Sequence, residues 1–595
     1  MNEETKTGLF AGVAVLLLVA AILSQPSAPV QNTDGAGELL FEKFEDVSRV
    51  AKIEMVVFNS DSGKHSRIEV ERSQDGAWRI TSKDGYPADL DSQLRNATTL
   101  LFDLKKLRVE TQERKQHEDF GVVEPKEDEV KSGDEGVGRL VKYLDEDGEE
   151  IAALIIGNKV EKEQDSMTAA AEPGEIFYAR VPGNDSVVST RIEHDSAITT
   201  DFTDWIETSL LNRSGFSYSA PSLKQVGLAG LLPRGTDGFP TNSFYFTQDA
   251  DATPKWVGKG FAFDNYEEID FSTVDMIVGV FGNVKILDAV KGPPELAKLK
   301  VDQLATNELV PSALPEELLK NESIESVETF LGVMGDNGFL GQLGRRLFWL
   351  NGRTVLSMND GVEVVLHFGE RSRADEESGF PAGKYLTARA HFNKTLLKEP
   401  EAPAVEGNGT KPGSNLDKLK RAAAQNNPEY QEAVEEYEKK VAAGERQAVA
   451  LDGHLKGWLF IVSDSDYNKM RLLETNEPLR DQFVKNRTIT ASQILVGHME
   501  ANSEIKRTKA EAIARAGEAL VMAKAADANF TALVTEYSDD NATKAKGGDI
   551  GSFDYPRIAQ SHGPDLATAA FDLEVNATSP VLEGNQGFYI LRRTK

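Results

Sequence analysis

Side chains that could act as nucleophiles or metal ligands set the first limits on this chain's chemistry. It has no cysteine, which removes disulfides, thiolate catalysis and zinc–cysteine sites. Its 8 histidines (His65, His117, His194, His367, His391, His454, His498 and His562) are scattered. None stands at metal-binding spacing from a second histidine or an acidic pair, and each reads as a surface or core histidine. Gly335-Asp-Asn-Gly-Phe-Leu-Gly-Gln-Leu-Gly344 lacks the Lys-Ser/Thr of a phosphate loop and the dinucleotide spacing, so its glycines read as turns. The acidic run Glu124 to Glu135 lacks the alternating oxygens of a calcium loop and reads as a solvated face. No serine or threonine nucleophile constellation stands out. The net charge of −30 repels nucleic acid and anionic membrane surfaces.

The rest of the chain reads as organised around its C-terminal stretch. Thr488-Ile-Thr-Ala-Ser-Gln-Ile-Leu-Val496 is rich in β-branched residues and predicts a strand. A charged, alanine-rich segment from Ser503 to Ala526 predicts a helix. Phe530, Leu533, Val534 and Tyr537 fall on one face of a second helix. Ser538-Asp-Asp540 and the loop Lys546-Gly-Gly-Asp-Ile-Gly-Ser-Phe553 follow. A third short helix carries Leu566, Ala569, Ala570 and Leu573, and after Ser579-Pro-Val581 the strand Phe588-Tyr-Ile-Leu591 closes the chain. Helices flanked by strands at both ends make a small α+β domain.

This order of blocks resembles the parvulin-type peptidyl-prolyl isomerases. The blocks are Ala491-Ser-Gln-Ile-Leu-Val496, Phe530-Thr-Ala-Leu533, Glu536-Tyr-Ser-Asp539, Gly547-Gly-Asp-Ile-Gly-Ser-Phe553, Ala570-Phe-Asp-Leu573, Ser579-Pro-Val581 and Gly587-Phe-Tyr-Ile-Leu591. The reaction of that family needs no nucleophile. It turns an X–Pro bond over a resonance barrier of roughly 18–20 kcal/mol. An apolar grip on the proline ring suffices, with polar groups that favour the twisted amide. The resemblance implies a proline pocket of Ile550, Phe553, Ile558 and Leu566, an acidic position at Asp540, and no cofactor or metal. Gln493 and Tyr589 stand where the family has two histidines, and Ala559 to Asp565 reads as a short insertion. Gln and Tyr still donate and accept hydrogen bonds, so Asp540, Gln493 and Tyr589 are the expected catalytic set. The bland alternative makes Gln493 and Tyr589 satisfied strand residues and Asp540 a turn or helix-end residue. No basic cluster near Asp540 points to a phosphate requirement.

At the other end, Gly8 to Leu23 is an uncharged apolar run at the short limit for spanning a bilayer. It is expected to be an uncleaved transmembrane helix, with a cleaved signal peptide as the alternative. The bulk of the chain is then extracytoplasmic or periplasmic. A β-rich region follows the tether. Leu104 to Val109 resembles Val284 to Ala289, the Asp147-Gly148 hairpin resembles the one at Asp360-Gly361, and Ile176 to Arg180 resembles Tyr385 to Arg389. An internal repeat is the economical explanation. The opening Met1 to Thr7, the Tyr86-Pro-Ala-Asp89 block and the Asp201-Phe-Thr-Asp-Trp205 block resemble an uncharacterised family. Its members are anchored extracytoplasmic proteins, some associated with gliding-type ABC transporters, which implies a scaffold role.

The fold class expected is therefore multidomain α+β: an N-terminal transmembrane helix, two β-rich repeat units and a C-terminal parvulin-like domain. The boundaries are 1–24 for the anchor and 25–39 for the tether. The β-rich units are 40–215 and 216–480, the second with a low-complexity and helical insertion at about 399–447. The parvulin-like domain is 488–595, after a linker at Asp481 to Asn486. The expected function is peptidyl-prolyl isomerisation in proline-containing exported polypeptides, by a folding factor anchored in the inner membrane. The alternative is a catalytically weak or inactive peptide-binding module on a scaffold that docks on an ABC transporter or envelope complex. Nucleic acid is excluded as a partner.

Overall fold

In the computed structural model, residues 36–89, 92–161, 173–213, 216–218, 223–231, 241–248, 256–259, 263–299, 308–309, 324–343, 346–372, 382–401, 427–471 and 483–595 are described. The chain divides into two compact units, Met1–Thr208 and Ser209–Lys595.

The first unit is built on a nine-stranded sheet. From one edge its strands are Tyr86–Pro87, Trp78–Ile80, Lys64–Arg72, Lys52–Asn59, Arg139–Leu144, Glu150–Lys159, Glu175–Arg180, Val187–Ile192 and Lys106–Thr111. Every pairing along it is antiparallel. Alternation along Lys52–Asn59 sends Ile53 and Met55 into the core, where both are wholly buried.

An eight-stranded sheet in the second unit repeats this topology. Its order is Trp256–Lys259, Thr241–Gln248, Leu223–Leu231, Arg353–Met358, Val362–Ser372, Gly383–Phe392, Trp458–Val462 and Ile286–Lys291. The three pairs of segments that resemble one another in sequence occupy equivalent places. Lys106–Thr111 and Ile286–Lys291 are both the far edge strand, and the two Asp-Gly turns join the corresponding central strands. The helix Pro428–Leu455 packs on Gly383–Phe392, fixed by a bidentate ion pair from the buried Arg389 to Asp452 at 2.8 and 3.1 Å.

The expected fold class is corrected in one respect. Among the described residues no helix is long and apolar enough to cross a membrane, so the expected N-terminal transmembrane helix is not supported. Pro428–Leu455 has the length, but glutamates and lysines run along it. The run Gly8 to Leu23, the tether up to residue 35 and residues 402–426 of the insertion lie outside the described residues.

The C-terminal domain is a four-stranded antiparallel sheet with helices on both faces. Its opening strand Ile489–Val496 and closing strand Gly587–Arg593 are central. They are flanked by the loop strand Asp549–Phe553 and the edge strand Leu582–Gly584. Strand periodicity divides the side chains cleanly. Ile494, Val496, Phe588 and Ile590 face the helices Lys509–Ala523 and Phe530–Tyr537. Ala512, Ala516, Ala519 and Ala523 form the small-residue face that lets the first helix lie close to the sheet. A capping box between Thr508 and Glu511 starts that helix. Ile489, Ala491, Leu495, Tyr589 and Leu591 face the other way, against the helices Tyr555–His562 and Pro564–Asp572.

Part of the stretch expected to be a linker is a strand. Val484–Asn486 pairs antiparallel with Glu267–Ile269, tying the domain to the preceding region. Beside it, Tyr266 stacks on Tyr555 at 4.0 Å, and Arg487 donates to the Phe571 carbonyl at 2.6 Å. Tyr266 thus covers the outer side of the two helices that line the second face. Replacing Tyr266 by Ala should lower stability by about 1–2 kcal/mol, a stacked pair plus some lost burial. The loss would be read as weaker hydrogen-exchange protection in the helices 555–572.

Candidate functional site

Asp540 is positioned by a short run of sequence sewn along the opening strand. The Leu495 amide donates to Ser538 Oγ at 3.2 Å, and the Asp539 amide donates to the Leu495 carbonyl at 2.7 Å. Asp539 in turn accepts from the Gly497 amide at 2.9 Å and from Arg507 at 2.7 Å. With its two predecessors pinned, Asp540 falls at the N-cap of the turn Asn541–Lys544 and accepts from the Ala542 amide at 3.0 Å. Its second oxygen accepts from Thr543 Oγ1 and, at 2.8 Å, from Gln493 Nε2.

Burial raises the Asp540 pKa, but these hydrogen bonds outweigh it and hold the carboxyl below its ordinary value. The side chain is a carboxylate at neutral pH.

Gln493 reaches Asp540 because the glycine loop holds the strand from its other side. The Gln493 amide donates to the Gly548 carbonyl at 2.8 Å, and Gly548 has φ +83°. A Cβ at Gly548 would lie 2.4 Å from the Gln493 carbonyl oxygen, so only glycine fits. The side chain of Gln493 is 3% exposed, and among the described residues its Oε1 has no hydrogen-bond partner. Tyr589 on the closing strand is 1% exposed, and its hydroxyl lies by the Gln586 amide without a well-formed hydrogen bond among the described residues. Burial, together with the Asp540 charge and against the Gln586 amide, pushes the phenol up to about 12.

Phe553, Ile558 and Leu566 are buried in the same apolar cluster as Tyr589, and Ile550 packs half-buried at its edge. All seven residues singled out in the sequence therefore meet on one face of one domain. Three of the four apolar ones are core side chains there, beneath the surface rather than on it.

Sequence reasoning missed His562. The helix Tyr555–His562 stops at Gly563, φ +98°, before a new helix begins at Pro564. This places the half-buried His562 ring 5.4 Å from that of Tyr589, at 76°. Ser561 Oγ lies 2.7 Å from His562 Nδ1. Burial lowers the His562 pKa, while the Asp540 charge raises it. Pro556 near a helix start and Gly563-Pro564 at its end were the available signals.

Residues 471–595 match the model of the family described as PPIC-type PPIASE domain. The C-terminal domain is a parvulin-type domain. Residues 78–241 match a family described as Domain of unknown function (DUF4340), a description that carries no activity or partner. Several solved structures are similar to the parvulin domain. A foldase protein PrsA from Streptococcus pneumoniae is 30% identical, over 18% of this chain and 34% of its own, with a TM-score of 0.14. PrsA from Bacillus subtilis is 26% identical over 18% and 35%, with a TM-score of 0.13. A PpiC-type peptidyl-prolyl cis-trans isomerase domain is 24% identical over 18% and 89%, with a TM-score of 0.16. The chain thus spans about a third of the length of the PrsA foldases that it matches. No curated protein matches it.

Within the parvulin domain the Gly548 geometry is a tight constraint on the site. Gly548→Ala should cost more than about 2 kcal/mol, from left-handed backbone strain plus the clash with Gln493. Chemical denaturation of the full chain would measure it.

Proposed function

We propose that the chain is a peptidyl-prolyl cis-trans isomerase that assists the folding of exported, proline-containing polypeptides. The observation that carries this is the Gln493–Asp540 hydrogen bond, set against the apolar face that holds Phe553, Ile558, Leu566 and Tyr589. An amide twisted out of plane loses its resonance and becomes more basic at nitrogen, so groups that hydrogen-bond the twisted form lower the barrier. Ile550, Phe553, Ile558 and Leu566 hold the proline ring. Asp540 supplies a fixed negative charge, and Gln493 orients it. Tyr589, protonated across the physiological range, offers its hydroxyl to the substrate amide. No cofactor takes part.

In this proposal residues 40–215 and 216–480 are scaffold units, and 488–595 is the working domain. Action outside the cytoplasm is part of this proposal, and the cysteine-free composition is compatible with it.

One observation favours a second reading, a peptide clamp without catalysis. Gln493 Oε1 and the Tyr589 hydroxyl are buried, so a peptide reaches them only if the face opens.

A protease-coupled isomerisation assay with an Ala-Ala-Pro-Phe tetrapeptide separates the two. It calls for the full chain, because Val484–Asn486 ties the domain to what precedes it. The parent should accelerate isomerisation, and Asp540→Ala should lose about tenfold to a hundredfold. That is the effect of removing a hydrogen bond to a charged group, about 1.5–3 kcal/mol. A folded parent that gives no acceleration, whatever residue precedes proline, leaves the clamp.

A further inference from the structure

The end of the helix Tyr555–His562 packs into the site without slack. His562 meets the Tyr589 ring at 5.4 Å and 76°. On the neighbouring edge strand, a Cβ at Gly584 would lie 2.7 Å from the Tyr589 ring and 3.3 Å from the His562 carbonyl. The phenol ring is therefore held by its neighbours' shape, and among the described residues its buried hydroxyl has only the Gln586 amide beside it, without a well-formed hydrogen bond. The helix reaches this point only through the segment that stands as an insertion in the family resemblance.

We infer that His562 is the positioning residue of this site and its pH-sensitive element: neutral, it keeps the Tyr589 ring seated against Gly584, and protonated, it is drawn to Asp540 and releases that ring. The inference rests on the proposed prolyl-peptide site and names its regulation. An uncharged imidazole packs against a phenol ring as one aromatic against another. A charged one in a half-buried position instead seeks the nearest anion.

The surrounding charges leave Asp540 as that anion. Glu583, next to Gly584 on the edge strand, is engaged by Lys509 at 2.6 Å. Arg557 on the same helix as His562 donates to the Ser552 carbonyl at 3.2 Å. Asp565, at the start of the next helix, is exposed. Tyr589 is a neutral phenol until about pH 12.

Burial holds the imidazole below its ordinary value against the pull of Asp540. His562 is therefore neutral at pH 7 and takes its proton below about pH 6.5. The unfolded chain binds that proton more readily. The stability contributed by the neutral ring is present above this window and lost as pH falls through it.

The test is a pH titration of the full chain with 13C-labelled tyrosine rings, the Tyr589 signal being assigned with Tyr589→Phe. In the parent the Tyr589 signal should follow one protonation step below about pH 6.5. In His562→Gln, with folding checked by thermal unfolding, it should be flat. In Asp540→Asn the step should move to lower pH, because the attracting charge is gone. Isomerisation by the parent should fall severalfold as the pH is lowered through that step, and the same ratio in His562→Gln should stay within about twofold of one. A Tyr589 signal that does not titrate in the parent, or that titrates unchanged in His562→Gln, overturns the inference. Titration as described without isomerisation at either pH supports it while overturning the enzymatic function alone.

Discussion

A carboxylate bordering an apolar face is tolerated only when its charge is shared by donors. In this protein the donors to Asp540 are Thr543, the Ala542 amide and Gln493. The hydrogen bond from Gln493 matters most for the rest, because it crosses from the opening strand to the turn after the second helix. Around it the sequence has little freedom. Ser538 and Asp539 must stitch that turn to Leu495 and Gly497, and Gly548 must remain glycine to let the loop press on Gln493. The two faces of the sheet then follow from strand alternation on either side of this pair.

Most of this arrangement was legible before any coordinates. The face Phe530, Leu533, Val534 and Tyr537 follows helical spacing and is buried as that spacing implies. The alternation of Phe588, Tyr589, Ile590 and Leu591 sends neighbours to opposite cores. The repeated blocks of the β-rich region landed on equivalent strands, and the two Asp-Gly turns, at Asp147-Gly148 and Asp360-Gly361, are signals that act locally.

What escaped depends on distant partners. Val484–Asn486 is short and polar, and nothing in it announces pairing with Glu267–Ile269, far away in sequence. His562 has no second histidine or acidic pair at motif spacing. Its neighbours Tyr589 and Asp540 come from the closing strand and from a helix cap, so only the assembled fold joins them. The N-terminal apolar run was read from hydropathy alone, and no membrane-crossing helix stands among the described residues.

The central claim is that a peptide bond before proline is turned at the face built on Gln493, Asp540 and Tyr589. Exchange spectroscopy on a labelled proline peptide, with catalytic amounts of the full chain, observes this without a coupled protease. The account predicts exchange cross-peaks between the cis and trans signals within seconds, where the free peptide needs tens to hundreds of seconds. It also predicts that they vanish when Gln493→Leu removes the donor to Asp540 from a chain that remains folded. Peptide signals that shift on binding while cis and trans stay unexchanged would contradict it and leave a clamp.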